Sequence, residues 1–161
     1  MSNSYTHYWK NSTCDKLLSE WSTRPLVHAA DNHFDSRSRR VAAGDRIYAV
    51  TVRKGLIYLI GRLTVGRIAR SDEAAENILG YPPPWSASVH VIAEPGTGTP
   101  ICFDRQVPIP VARQLSFDSA TKSLKFVDEA AGLIDRQTLT SIRPLSGASA
   151  DLLDKLLRQT P

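Results

Sequence analysis

The chain has 161 residues, with 20 Lys and Arg against 16 Asp and Glu, a formal charge of +4 and a sequence pI near 9.3. A hydrophobic share of 42% and a charged share of 22% match ordinary globular usage and exclude a disordered or fibrous chain; the length suits one domain that buries about two-thirds of its unfolded surface. No apolar run reaches the roughly 20 residues needed to cross a bilayer, and Met1 to Lys10 is polar and aromatic rather than signal-like, so a cytoplasmic protein with no membrane contact is expected.

Tyr5 to Lys10 (YTHYWK) predicts a first strand from its aromatic content. Asn11-Ser12-Thr13 offers N-cap side chains to a short helix with apolar positions at Leu17, Leu18 and Trp21. Arg24-Pro25 stops it, because proline holds the residue before it extended. Ala30 to Arg40 (ADNHFDSRSRR) reads as a long polar loop. A Gly44-Asp45 turn then feeds Arg46 to Val65, two strands split by Arg53-Lys54-Gly55, and both arms must be central in a sheet. Tyr48, Val50 and Val52 are expected on one face of the first arm, and Ile57, Leu59, Leu63 and Val65 on one face of the second. Gly61 inside the second arm marks a bulge, a barrel corner or a close approach by another group.

Ser71 caps a helix that runs to Leu79, with acidic residues in its first turn and Gly80 at its end. Tyr81-Pro82-Pro83-Pro84-Trp85 is a stiff connector to a strand over Ser86 to Ala93. Shorter strands are expected at Ile101 to Phe103 and Val111 to Phe117, with an irregular link forced by Pro108 and Pro110. Lys125 to Val127 and Leu133 to Ile142 are ambiguous, although Asp135 to Ile142 suits a helical turn before Arg143-Pro144. Ser149 caps a last amphipathic helix, about 148–158, with Leu152, Leu153, Leu156 and Leu157 at helical spacing. Many short strands and a few short helices predict an α+β fold with a curled, mainly antiparallel sheet, in a single domain over 1–161.

The aromatic first strand, the polar capping run into a helix and the Gly-Asp turn feeding GDRIYAVTVRKGLIYLIGRLTV together resemble the PUA-like superfamily, nearest its EVE, YTH and ASCH-type domains. The likeness covers roughly the first 65 residues, and from Trp85 onward no family motif is matched. It implies a PUA-like β-barrel flanked by short helices, binding RNA or modified nucleobases in an aromatic pocket beside the first strand. That pocket would fall at Trp9, Lys10, Asn11 and Ser12, with Trp21 in the helix. The stretch between Trp21 and Gly44 departs from the family in its length and in its Arg and His content.

Holding a flipped base takes an aromatic face to stack on and polar groups that pair with the base edge. Trp9, Trp21, Trp85, Tyr48 and Tyr58 are candidate faces, with core packing as the alternative for each. Asp31, Asn32, His33 and Asp35 form a polar cluster beside His28 that would read a base edge, with loop solvation as the alternative; His90 reads as an ordinary strand residue. Arg37, Arg39, Arg40, Arg46, Arg53 and Lys54 form the densest basic stretch and would hold phosphates, against the alternative of a solvated loop; Arg62, Arg67 and Arg70 extend it.

Cys14 and Cys102 stand far apart with no CxxC or Cys/His cluster, so reduced thiols are expected, with neither a disulfide framework nor a metal. No GxSxG, Walker loop, GxGxxG or HExxH occurs, so no catalytic residue and no cofactor is assigned. The expected partner is nucleic acid, DNA or RNA, carrying a modified or flipped base, together with a separate effector protein. Two other readings stand beside it. One is a small hydrolase acting on a nucleoside-like substrate, through the His28 to Asp35 cluster or carboxylate pairs such as Asp104 with Asp118; the other is an interaction module docking through Ala148 to Arg158.

Overall fold

The hairpin after Gly44-Asp45 is the spine of the fold. The computed structural model describes residues 2–35, 40–119 and 121–159. The first half of the chain forms β1 (Ser4–Tyr8), α1 (Asn11–Trp21), β2 (His28–Ala30), a 3-10 turn (Asn32–Asp35), β3 (Arg46–Arg53), β4 (Leu56–Ala69) and α2 (Asp72–Leu79). Then come β5 (His90–Ala93), α3 (Ile109–Ala112), β6 (Phe126–Asp128), β7 (Leu133–Ile134), a second 3-10 turn (Arg136–Leu139), β8 (Ile142–Leu145) and α4 (Gly147–Arg158). Six strands make one mixed sheet in the order β2-β5-β4-β3-β1-β8, while β6 and β7 pair as a separate ribbon. Every pairing is antiparallel except β1 beside β3. The chain is therefore α+β with both hairpin arms central; among the described residues no pairing joins the edge strands β2 and β8. No helix among the described residues is long and apolar enough to cross a membrane.

Both faces of the sheet are covered, which explains the near-continuous apolar run of β3. The strand period sends Ile47 and Ala49 to one core, with Trp9, Cys14 and Leu17 at α1, and Tyr48, Val50 and Val52 to the other, with Phe117, Leu139 and the α4 residues Leu153 and Leu156. β4 serves both. Val50 is paired with Leu59 and Ala49 with Gly61, so Ile60 is an extra residue, and this bulge shifts the phase of everything after it. Ile57 and Leu59 join the α4 side, whereas Ile60, Leu63 and Val65 join the α1 side, which corrects the expectation of one shared face. Gly61 is also a close approach: a Cβ there would stand 3.0 Å from Thr99 Oγ1, which accepts the Arg62 amide at 2.8 Å.

Several local readings change for identifiable reasons. Asn11 to Thr13 form the first turn of α1, and Lys10 is the N-cap without a side-chain bond. Val111 lies in α3, where Pro110 occupies a first-turn position that needs no amide. Ile101 to Phe103 belongs to no strand, although the Cys102 amide reaches the Ile60 carbonyl at 3.0 Å. The helical turn expected over Asp135 to Ile142 is a 3-10 turn at Arg136–Leu139, and Ile142 belongs with Arg143-Pro144 to β8, an edge strand where a missing amide is tolerated. Ser71 caps α2 as expected, accepting the Ala74 amide at 3.0 Å. The cap of α4 is Ser146, and Ser149 is buried, accepting the Ser116 amide at 2.8 Å. Leu153, Leu156 and Leu157 pack on the second core and Leu152 is half-buried, so the exposed stripe required by the interaction-module reading is absent from this helix.

Burial also separates the two thiols. It pushes Cys14 up to about 11, so this group stays protonated, whereas Cys102 is half-buried. Iodoacetamide at pH 8 should therefore alkylate Cys102 well before Cys14 in the folded protein; equal labelling in peptide mass spectra would contradict this.

Candidate functional site

The carboxyl end of β1 opens on a cleft built by four segments. The Tyr8 amide bonds the Ser141 carbonyl at 2.9 Å and the Trp9 amide bonds the Val50 carbonyl at 2.8 Å, so the strand end is held between β3 and the start of β8. The end of β2 brings Asp31, the 3-10 turn brings Asn32 and His33, and the proline-rich connector brings Trp85. Two overlapping lobes of about 290 Å³ and about 400 Å³ share Tyr8, Lys10, Ala30, Asp31 and Trp85. A neighbouring hollow of about 610 Å³ shares His33, Thr140 and Ser141 with the larger lobe and continues to Lys125 and Arg143.

The floor is a hydrogen-bonded relay running from the core to the lip. Trp9 Nε1 donates to His7 Nδ1 at 3.1 Å, which leaves the His7 proton on Nε2, 3.1 Å from Asp31 Oδ2. Asp31 Oδ1 accepts the His33 amide at 2.8 Å and lies 2.9 Å from His33 Nδ1. Burial by itself would raise the Asp31 carboxyl, but the interactions with His7 and the bonds from His33 outweigh it and hold the group at about 2. Asp31 is thus a fixed carboxylate, and the His33 side chain, 67% exposed, stands on the lip.

The aromatic candidates separate. Trp9 is 3% exposed and packs in the core, while also lining the smaller lobe, and meets Trp85 edge-on at 5.1 Å between ring centres. Trp85 is half-buried, lines both lobes and is aimed by its Nε1, which donates to the Ala30 carbonyl at 2.9 Å. Trp21 packs against Tyr81 at 5.8 Å, beneath the Arg24 guanidinium, and lines neither lobe. Tyr48 is buried, with its hydroxyl donating to Asp154 at 2.8 Å, and Tyr58 lies under the Arg53 guanidinium at 3.9 Å.

Among the polar candidates, Lys10, Asn32 and His33 reach the cleft, and Asn32 Oδ1 accepts the Ser88 amide at 2.8 Å. Asn11 does not reach it: its Nδ2 donates to the Val52 carbonyl at 3.1 Å and its Oδ1 accepts the Thr51 hydroxyl at 2.9 Å, tying α1 to β3. Ser12 is exposed on α1 and lines neither lobe. Asp35 pairs with Arg70 at 2.6 Å and Arg40 at 3.4 Å, away from both lobes. His28 is buried and turned the other way, its Nε2 lying 2.8 Å from His90 Nδ1. His90 is far from an ordinary strand residue: fully buried, it places Nε2 2.7 Å from Asp72 Oδ1 and 3.0 Å from the Ala87 carbonyl, so that β2, β5 and α2 are joined through it.

The basic residues are not gathered as expected. Arg37 and Arg39 lie outside the described residues. Arg46 and Arg62 both bind Asp154, at 3.4 and 2.7 Å. Arg46 also stands opposite Ser4, whereas the cleft is at Tyr8, about 13 Å along the strand. The Arg53 guanidinium donates to the Phe103 carbonyl, and Lys54 is exposed in the hairpin turn. Among the described residues, the Lys and Arg side chains on this surface are Lys10 in the cleft and Lys125 and Arg143 at the hollow beside it. Tyr8, Thr140, Ser141 and Lys125 escaped sequence reasoning, since no local pattern ties the start of β8 to the end of β1.

Among the described residues no group of three or more His, Cys, Asp or Glu is arranged to hold a metal ion. No protein-family model and no curated protein sequence matches the chain.

Proposed function

We propose that this domain binds nucleic acid and takes an extruded, modified or unmodified nucleobase into the cleft at the end of β1. The observation that carries the reading is convergence: a tryptophan wall (Trp85), a cation (Lys10) and the Asp31–His33 pair come from separate segments to one hollow. A lobe of about 400 Å³ falls within the roughly 300–1,000 Å³ of small-ligand sites. A base stacked on Trp85 would meet polar partners at Asn32 and His33, while Lys10 and Lys125 meet its backbone. A PUA-like barrel belongs to the same proposal, supported by the aromatic first strand, the helix directly after it and the Gly-Asp turn into the central hairpin. So does a cytoplasmic setting, supported by the two free thiols. Because such a reader acts on nothing by itself, a separate effector chain is its expected partner.

The test is fluorescence anisotropy of labelled single- and double-stranded DNA and RNA, plain and base-modified, at two salt concentrations. Binding that weakens with salt is expected, and binding to none of the probes overturns the reading. Trp85→Ala, shown to be folded by circular dichroism, should lower affinity roughly 5- to 150-fold, the range for losing one stacked base. Trp85→Phe, which keeps a ring but loses the Ala30 bond, should lie between. Unchanged affinity in a folded Trp85→Ala protein would remove this residue from the site.

A second reading, hydrolysis of a nucleoside-like substrate, is favoured by one observation. Asp31 orients His33 through Nδ1 and leaves the rest of an exposed ring at the cleft, as proton transfer requires. Release of free base from nucleosides, abolished by His33→Ala, would support it over binding alone.

A further inference from the structure

Ser141 stands where the cleft meets the neighbouring hollow and lines both. Its φ is 61°, in the left-handed region that any residue with a β-carbon enters at a cost. Its hydroxyl oxygen is enclosed by protein and meets no donor or acceptor, a second and independent cost. The backbone on each side enforces the conformation. The Ser141 carbonyl takes the Tyr8 amide at 2.9 Å, Ile142 pairs with His7 in the β8–β1 ladder, and the Thr140 hydroxyl is tied back to the Gln137 carbonyl at 3.0 Å. Glycine at this position would relieve the dihedral, and alanine would remove the orphaned hydroxyl. Serine keeps both costs. Thr23 and Lys54, the other non-glycine residues with positive φ among those described, line neither hollow.

The larger hollow differs in character from the base cleft. Lys125 and His33 border it, and its carboxylate, Asp135, is already engaged in capping the second 3-10 turn, accepting the Gln137 amide at 3.0 Å. Arg143 is held in its wall by the Thr138 carbonyl at 2.9 Å and the Ser119 hydroxyl at 3.1 Å, with its guanidinium over the Phe117 ring, so positive charge is fixed beside the space. A hollow with a lysine, a histidine and hydroxyl donors suits a phosphate.

We propose that this hollow is a second subsite, taking the phosphate next to the extruded base, and that Ser141 reads it: on binding, the hydroxyl turns about χ1 and donates to a phosphate oxygen. The inference rests on the base-binding reading of the adjoining cleft. It requires a ligand that carries a phosphate, a nucleotide or a strand, since a free nucleoside would leave the Ser141 hydroxyl unsatisfied.

The experiment uses a short fluorescein-labelled single strand and versions of it in which single phosphodiesters are replaced by neutral methylphosphonates. Ser141→Ala should bind the plain strand about tenfold more weakly than the wild type while melting no lower. One neutral linkage should weaken the wild type more than Ser141→Ala, because both lose the charge that Lys125 meets but only the wild type also loses the Ser141 contact. Lys125→Ala should also weaken binding. Equal affinity of Ser141→Ala and the wild type, or an equal methylphosphonate penalty in both, overturns the subsite. A lower melting temperature for both Ser141→Ala and Ser141→Gly also overturns it, since the hydroxyl would then have a partner in the free protein. If the wild type binds and Trp85→Ala weakens it while Ser141→Ala does not, the subsite alone fails; if the wild type binds no strand, the base reading fails and takes the subsite with it.

Discussion

Acidification from pH 6.5 to pH 3 should remove up to about 5 kcal/mol of folding stability through His28 alone. Burial, with the neighbouring His90 and His7 rings adding to it and Asp72 opposing, pushes His28 down to about 3, against about 6.5 in the unfolded chain. Between these values the unfolded state takes up a proton that the folded state refuses, so stability falls as pH falls across that window and levels below it. The difference of about 3.5 units, at 1.36 kcal/mol per unit, gives the figure, and the loss by pH 4 is on the order of 3 kcal/mol. That is a large part of the roughly 5–15 kcal/mol typical of a domain. Asp31 and Asp72 are both held at about 2 and act in the same direction, but only below the ordinary carboxylate range near 3.8. Urea midpoints measured from pH 7 to 4 should therefore drop steeply in the wild type and much less in His28→Gln. A parallel drop in both proteins would move the cause away from His28.

Asp154→Ala should cost about 3 kcal/mol, the lower end of the roughly 3–5 kcal/mol lost when a buried charge loses its partner. Asp154 lies on α4 and gathers three donors from the central hairpin: the Tyr48 hydroxyl at 2.8 Å, Arg62 at 2.7 Å and Arg46 at 3.4 Å. Tyr48 is fully buried, so its hydroxyl would be left without an acceptor; Arg46 and Arg62, 36% and 27% exposed, regain some water, which sets the lower figure. A domain of this size shifts its melting temperature by about 2–4 °C per kcal/mol, so a fall near 10 °C is expected by calorimetry. Asp154→Asn, which keeps an acceptor and loses the charge, should fall between. Melting within a degree or two of the wild type would show that α4 is held by its leucines alone. Ligand affinity should survive in both variants, because the cleft lies at the other end of β1.

The elements legible in the sequence are those specified by neighbours along the chain. Ser71 and Gly80 bracket α2, Gly44-Asp45 starts the hairpin, and the α4 leucines follow the helical period. The elements that were not legible are made by distant pairing. β8 contains a proline and exists because Ile142 to Leu145 lies against the opposite end of the chain at β1. The site divides in the same way. Lys10, Asn32, His33 and Trp85 could be marked by residue type and do share one cleft. That Trp9 packs in the core, that Asn11 ties a helix to β3 and that His28 meets His90, which in turn meets Asp72, depends on contacts no local pattern encodes. Ser141 carries no residue-type signal; only its backbone angle and its enclosed hydroxyl distinguish it.

The extra residue at Ile60 also governs where the chain can change length. A residue gained in an exposed loop is absorbed locally. A residue lost between Leu59 and Leu63 would be absorbed as well, because the bulge closes while Leu59 stays opposite Val50 and Leu63 opposite Ile47, in the layer beneath α1. A residue lost past the bulge, between Leu63 and Val65, has no such slack and would turn Val65 from the layer beneath α1 towards the layer beneath α4. Deletion scanning along β4 would thus distinguish the positions that share the bulge's slack from those beyond it.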